Sequence, residues 1–290
     1  MDLCNERDIR GLLARHGFHF SKSMGQNFLI QGWVPQEIAD ASGADTSCGV
    51  LEIGPGIGPL TVALAQRAGR VVSVELDKRL LPILDETLSP YPNAQVVQGD
   101  VMKLDLPSFV ADKLNGFTPI ACANLPYNIT TPVITALLEA GCFASITVMI
   151  QREVARRICA RPGTADYGAF SLLCQYHART EICFDVGPEC FLPAPKVTSS
   201  VLRLVPRPAP PEVHDRDRFF QVVRAAFAQR RKTLLNGLTT AYGSRLSKGE
   251  LAEIIAGCGL PADVRGERLG IPEFAALADA LNLRLAASDK

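Results

Sequence analysis

Gly49-Val50-Leu51-Glu52-Ile53-Gly54-Pro55-Gly56-Ile57-Gly58 decides how this chain folds. Gly49–Ile53 has the length and apolar character of a buried strand, and Pro59 suits the first turn of a helix over Pro59–Arg67. Closely spaced glycines between the two let the backbone approach a ligand, with helix N–H groups facing it. Further strands are expected at Arg70–Val74, Gln95–Val97, Pro119–Ala123 and Ile146–Ile150, with helices at Arg79–Leu88 and Pro132–Ala140. Such alternation predicts an α/β fold, a doubly wound, Rossmann-like parallel sheet covered on both faces. Ligands then bind beyond the carboxyl ends of the strands.

On the N-terminal side, residues 6–16 and Val34–Ala41 read as helices around a polar loop, Ser21–Leu29. On the C-terminal side come helices at Glu153–Ala160 and Phe170–His177, then strands at Ile182–Val186 and Val197–Leu204 suited to an antiparallel edge pair. Pro206, Pro208, Pro210 and Pro211 mark a linker. Beyond it, Asp217–Leu238, Lys248–Ala256 and Pro272–Leu281 predict a small all-helical domain, with Gly237 at the C′ position closing the first helix. The expected domains are therefore 1–207, including a helical segment 1–45, and 208–290.

Composition sets the class. The 290 residues are 47% apolar and 21% charged, the profile of a globular protein, and no apolar run is long enough to span a bilayer. Asp2, Glu6 and Asp8 make the N-terminus too acidic for a targeting peptide. Nine cysteines without a C-x-x-C pair suit a reduced, cytoplasmic chain. Residues 1–144 carry 10 Lys and Arg against 15 Asp and Glu, and the remainder 20 against 15. A zero overall charge argues against nonspecific nucleic-acid affinity and permits an anionic partner on the C-terminal half.

Three further positions gather at the same sheet edge. Glu75 ends the second strand, where an acid can bind ribose hydroxyls. Asp100, after the third, can accept from an adenine amino group. A dinucleotide fingerprint would require glycine at 59, but Pro59 stands there and no basic residue is near, so a nucleoside cofactor without pyrophosphate fits better. After the fourth strand comes Asn124-Leu125-Pro126-Tyr127. Asn124 supplies a carbonyl acceptor, Pro126 turns neighbouring carbonyls outward, and Tyr127 offers a flat face. Together they can hold an exocyclic amine by two acceptors while its ring stacks. The same residue types also suit plain turns with a buried Tyr127 and strand-end acids. His16, His19, His177 and His214 lie outside these motifs, so neither a catalytic His nor a metal site is expected.

Taken in order, these motifs resemble the KsgA/RsmA family, the small-subunit ribosomal RNA adenine dimethyltransferases. Gly25-Gln26-Asn27-Phe28-Leu29, Phe191-Leu192-Pro193-Ala194-Pro195-Lys196-Val197-Thr198-Ser199 and Phe227-Ala228-Gln229-Arg230-Arg231-Lys232-Thr233-Leu234 match it too. The resemblance implies an S-adenosylmethionine site of Asn27, Leu29, Gly54, Gly56, Glu75, Asp100, Val101 and Asn124, with S-adenosylhomocysteine as product. It implies that Asn124, Leu125, Pro126, Tyr127 and Phe191 receive a flipped adenine, Tyr127 and Phe191 forming the two halves of a clamp. It tilts the basic cluster of Arg224, Arg230, Arg231 and Lys232, with Arg152, Arg156 and Arg157, towards ribosomal RNA. The implied reaction converts two adjacent adenines near the 3′ end of small-subunit RNA to N6,N6-dimethyladenine, in a monomer acting on a pre-ribosomal particle with no membrane partner. Competing readings are a large-subunit methyltransferase of the macrolide-resistance type, a non-catalytic ribosome-assembly factor and a nicotinamide oxidoreductase, the last disfavoured by Pro59.

Overall fold

A computed structural model describes residues 1–20, 26–209, 211–229 and 231–288. Ser21–Gly25, Pro210 and Arg230, each part of a motif above, lie outside the described residues. Two compact units result: Met1–Ala155 with His177–Arg207, and Arg156–Tyr176 with Pro208–Lys290.

The first unit begins with α1 (Glu6–Arg15), β1 (Phe28–Leu29) and α2 (Trp33–Ser42). There follow β2 (Cys48–Ile53), α3 (Pro59–Ala65), β3 (Arg70–Glu75), α4 (Leu81–Leu88), β4 (Ala94–Gln98), α5 (Leu106–Lys113), β5 (Thr118–Asn124), α6 (Thr130–Ala140) and β6 (Ser145–Gln151). After α7 (Arg152–Cys159) and α8 (Ala169–His177), which cross between the units, it ends with β7 (Ala178–Val186), β8 (Phe191–Leu192) and β9 (Ser199–Pro206). The main sheet has the order β4-β3-β2-β5-β6-β9-β7, with the first five strands parallel, β9 antiparallel to β6, and β7 antiparallel to β9. Every residue of β2 is buried, as expected of a strand covered on both faces.

α1 shows how the sequence directs packing. Asn5 caps it by accepting from the Arg7 and Asp8 N–H groups, and Ile9, Leu12 and Leu13 form its buried stripe. That stripe packs with Leu80, Ile83 and Leu84, each burial stabilising by roughly 1.5–3 kcal/mol. The edge pair forms as expected, but β9 starts at Ser199, leaving Val197 exposed in the preceding loop. A second, two-stranded sheet, which the sequence did not announce, pairs β1 with β8 through Phe28↔Leu192 and Leu29↔Phe191.

The second unit contains α9 (Arg216–Phe227), α10 (Leu234–Tyr242), α11 (Lys248–Gly257) and α12 (Ile271–Ser288). The division falls between Arg207 and Pro208, but the expected first domain needs a correction, because residues 156–176 belong with these helices. The reason is aromatic packing: Tyr176 lies 5.4 Å from Phe219 and 5.2 Å from Phe220, and Tyr167 lies 6.0 Å from Phe227. A second correction concerns Asp217–Leu238, which is two helices and not one. The Leu234 N–H leaves the α9 direction to donate to the Val264 carbonyl at 2.7 Å. Gly237 is consequently no C′ residue. It lies inside α10, where a Cβ would stand 2.5 Å from the Ala225 carbonyl oxygen. Only a glycine permits that approach. Gly237→Ala is expected to destabilise by about 1–3 kcal/mol despite alanine's better helix propensity. Urea denaturation checks this, and an unchanged midpoint would refute the close packing. Among the described residues no helix is long and apolar enough to cross a membrane.

Candidate active site

Strand order reverses direction between β2 and β5, and the carboxyl ends of β2, β3, β4 and β5 open into one cleft. After β2 the backbone takes φ 68° at Gly54 and 64° at Gly56, a region that glycine enters without steric cost. The Phe28 ring lies 3.3 Å from where a Gly56 Cβ would be, so the N-terminal segment closes one side of the loop. At the end of β3, Glu75 receives the Gly56 N–H on Oε2 at 3.4 Å and the Asp77 N–H on Oε1 at 2.8 Å. Burial pushes its carboxyl above the usual range against the pull of those N–H groups. Asp100, after β4, caps a turn by accepting the Met102 N–H at 3.0 Å, and its other oxygen stands 3.9 Å from Lys103 Nζ.

Asn124 closes β5. Its Nδ2 donates to the Asn27 carbonyl at 3.5 Å, an assignment of the amide that leaves Oδ1 without a donor among the described residues. The Leu125 N–H donates to the Met149 carbonyl at 3.1 Å. The Pro126 carbonyl already accepts from the Ile129 N–H at 3.2 Å and Thr130 Oγ1 at 3.4 Å. The Leu125 carbonyl accepts nothing among the described residues and becomes the second available acceptor. Tyr127 is half-buried, and its Oη lies 2.8 Å from Ser199 Oγ.

Every residue singled out for cofactor or base lines this one cleft: Asn27, Leu29, Gly54, Gly56, Glu75, Asp100, Val101, Asn124, Leu125, Pro126, Tyr127 and Phe191. Phe191 differs from expectation in kind. It is 3% exposed and packs with Leu29, Val34 and Met149, so it stands as a wall of the cleft and not as a free stacking face. Arg224, Arg231 and Lys232 belong to the helical unit, are exposed, and have no ion pair among the described residues; Arg230 lies outside them. His16 is bonded to Glu86 and His214 to Asp279, away from the cleft.

Three contacts escaped the sequence reading. Gln26 Nε2 donates to Asp77 Oδ2 at 2.9 Å, and hydrogen bonds from Arg79 hold the Asp77 carboxyl down at about 2. Ser199 meets Tyr127, as above. Glu52, in the middle of the buried run, accepts Thr61 Oγ1 and Ser73 Oγ on the same oxygen, each at 2.6 Å. A charge inside six buried strand residues was the available signal.

Burial pushes the Glu52 carboxyl up to about 7, with Glu75 adding to the rise. The folded chain therefore holds its proton more tightly than the unfolded one. Stability from this group is full below about pH 4.5 and falls as pH rises towards 7, by on the order of 3 kcal/mol. Glu52→Gln is expected to flatten that decline. Urea titrations at pH 5, 6, 7 and 8 check it; an unchanged gap between the two proteins would sink the assignment.

Among the described residues the cleft wall carries three carboxyls, Glu52, Glu75 and Asp100, and no Lys or Arg. Such a lining suits a cationic nucleoside with a ribose diol and an amino group. It does not suit a pyrophosphate. S-adenosylmethionine, whose sulfonium and ammonium are cationic, fits that donor set.

Comparison with known proteins agrees. The family model for ribosomal RNA adenine dimethylase matches residues 17–256. The ribosomal RNA small subunit methyltransferase A of Geobacillus kaustophilus (strain HTA426) is 45% identical over 284 residues, covering 97% of both chains. Among solved structures, a dimethyladenosine transferase from Plasmodium falciparum shares the fold, with a TM-score of 0.73 at 22% identity, over 90% of this chain and 98% of that one. The 23S rRNA methyltransferase ErmE gives a TM-score of 0.67 at 27% identity, over 88% of this chain and all of its own.

Proposed function

This chain belongs to the ribosomal RNA adenine dimethylase family, and from that membership we propose that it dimethylates the N6 amines of two adjacent adenines near the 3′ end of small-subunit rRNA. S-adenosylmethionine supplies an electrophilic methyl on its sulfonium and leaves as S-adenosylhomocysteine. The observation carrying the reading is the pair of available acceptors in the cleft, Asn124 Oδ1 and the Leu125 carbonyl.

The adenine amine is a poor nucleophile because its lone pair is delocalised into the ring. Accepting both N–H hydrogens at once draws the nitrogen towards a pyramidal geometry and aims the lone pair at the methyl. The residues thus contribute alignment and electrostatics, and attack needs no strong general base. One N–H remains after the first transfer, so the second requires only one of the two acceptors. A paired base cannot reach the cleft, and flipping it out costs a few kcal/mol. Stacking on Tyr127 returns roughly 1–3 kcal/mol, with Phe191 closing the far wall. In this reading Glu75 takes the ribose hydroxyls and Asp100 the adenine amino group of the donor. The substrate is an immature small-subunit particle met by a cytoplasmic monomer.

Transfer of labelled methyl to undermethylated small subunits, with the modified position mapped, tests the proposal. Label in large-subunit RNA would overturn the target, and cofactor binding without transfer would favour the assembly-factor reading. The basic turn after α9 is assigned to RNA phosphates. Replacing Arg230, Arg231 and Lys232 with Ala is expected to lower the slope of log affinity against log salt by roughly 2–3, leaving cofactor affinity unchanged. An unchanged slope would remove that turn from the RNA interface.

A further inference from the structure

We infer that Ser199 is a positioning residue for the target base: its hydroxyl anchors the tip of the Tyr127 ring on which the adenine stacks. The inference rests on the reading of Tyr127 proposed above. Ser199 is 1% exposed and sits in β9 with a neighbour on each side, Gln151 of β6 and Val186 of β7. A residue clamped between two ladders is a rigid post. Its hydroxyl has one hydrogen-bond partner among the described residues, the Tyr127 hydroxyl at 2.8 Å.

The adjoining polar residues are engaged elsewhere. Ser200 Oγ donates to Asp185 Oδ1, and the Thr198 carbonyl accepts the Arg152 N–H at 3.0 Å. Ser199 is the one of the three bonded to a cleft residue.

Tyr127 needs such a post. It opens a short helical turn over Tyr127–Ile129, is half-buried, and has no aromatic neighbour among the described residues to hold its ring. Rotation about χ1 swings the whole ring, so a half-buried ring attached only at Cβ can carry its tip away from the cleft. A ring tied at both Cβ and Oη, the two ends of its long axis, keeps that axis in one direction. An incoming base then meets a ring already in place, and the freedom lost on stacking is smaller. The same bond settles what Tyr127 does not do. Its hydroxyl is engaged and burial raises its pKa, so the phenol stays neutral and serves as a platform, not as a proton acceptor.

A double-mutant cycle tests this on the full chain, with undermethylated small subunits as substrate. Ser199→Ala and Tyr127→Phe each delete the bond, and each is expected to lower kcat for methyl transfer about tenfold. The double variant should also lie about tenfold down, because the bond can be lost only once. Affinity for S-adenosylhomocysteine and the thermal midpoint should hold within twofold and a few degrees, which separates orientation from general loosening. Multiplication of the two losses to about a hundredfold, or a Ser199→Ala kcat within twofold of the unmodified chain, would overturn the inference. Should Ser199→Ala not fold, Tyr127→Phe reads the same bond from a half-buried residue, and a kcat within twofold would be equally decisive. Absence of transfer by the unmodified chain would instead overturn the underlying function, and this inference with it.

Discussion

Asn124→Ala is expected to lower the single-turnover rate of methyl transfer by about 10²–10³ while S-adenosylhomocysteine affinity stays within about tenfold. The asymmetry follows from what each atom of the side chain does. Oδ1 has no protein donor among the described residues, and in the function proposed above it accepts from the target amine. Removing it leaves the Leu125 carbonyl to hold one N–H alone, so the nitrogen is neither aligned nor drawn out of the plane. Nδ2 touches the cofactor side only through the Asn27 carbonyl, at a long 3.5 Å. Such a bond contributes at the low end of the usual 0.5–1.5 kcal/mol, which bounds the loss of affinity. Rapid-quench transfer and calorimetric titration separate the two effects. Equal losses in both would make Asn124 chiefly a cofactor residue.

That crossing of roles at one residue shows which parts of the molecule can be read in sequence. The five parallel strands fall within a residue or two of expectation, since all but the edge strand β4 are largely buried and predominantly apolar. The cleft was legible for a related reason. In a doubly wound sheet the residues just after successive strands must converge, so Gly54, Glu75, Asp100 and Asn124 needed no long-range knowledge to be gathered. Contacts without local signature were out of reach. The β1–β8 pairing joins two-residue strands, too short for any period to register, yet it ties the Leu29 segment to Phe191. Nor does any local pattern announce that Ser199 meets Tyr127 or that Glu52 recruits Thr61 and Ser73. In the helical unit, residues 228–233 contain neither Gly nor Pro, so no local breaker marked the end of the first helix. Only the requirement for close approach at Gly237, a matter of tertiary packing, distinguishes a hairpin from one long helix.

Glu75→Gln is expected to give the opposite signature to Asn124→Ala: S-adenosylhomocysteine affinity falls about 10–100-fold, while the single-turnover rate at saturating S-adenosylmethionine stays within a few fold. A carboxylate accepting from ribose hydroxyls forms charge-assisted bonds, and their loss costs about 1.5–3 kcal/mol, which is one to two decades in affinity. The amide also fails the protein. Both Glu75 oxygens are acceptors for backbone N–H groups, those of Gly56 and Asp77. A Gln must set its NH2 group against one of them, which loosens either the glycine loop or the turn that follows β3. Both consequences fall on the donor's nucleoside end. The acceptors proposed for the target amine, Asn124 Oδ1 and the Leu125 carbonyl, stand at a different strand end, so chemistry at saturation is expected to persist. Affinity within threefold of the unmodified chain would show that Glu75 holds the loop and nothing more. A collapse of the saturated rate would show instead that the loop it holds, and not the ribose bonds, sets the position of the methyl.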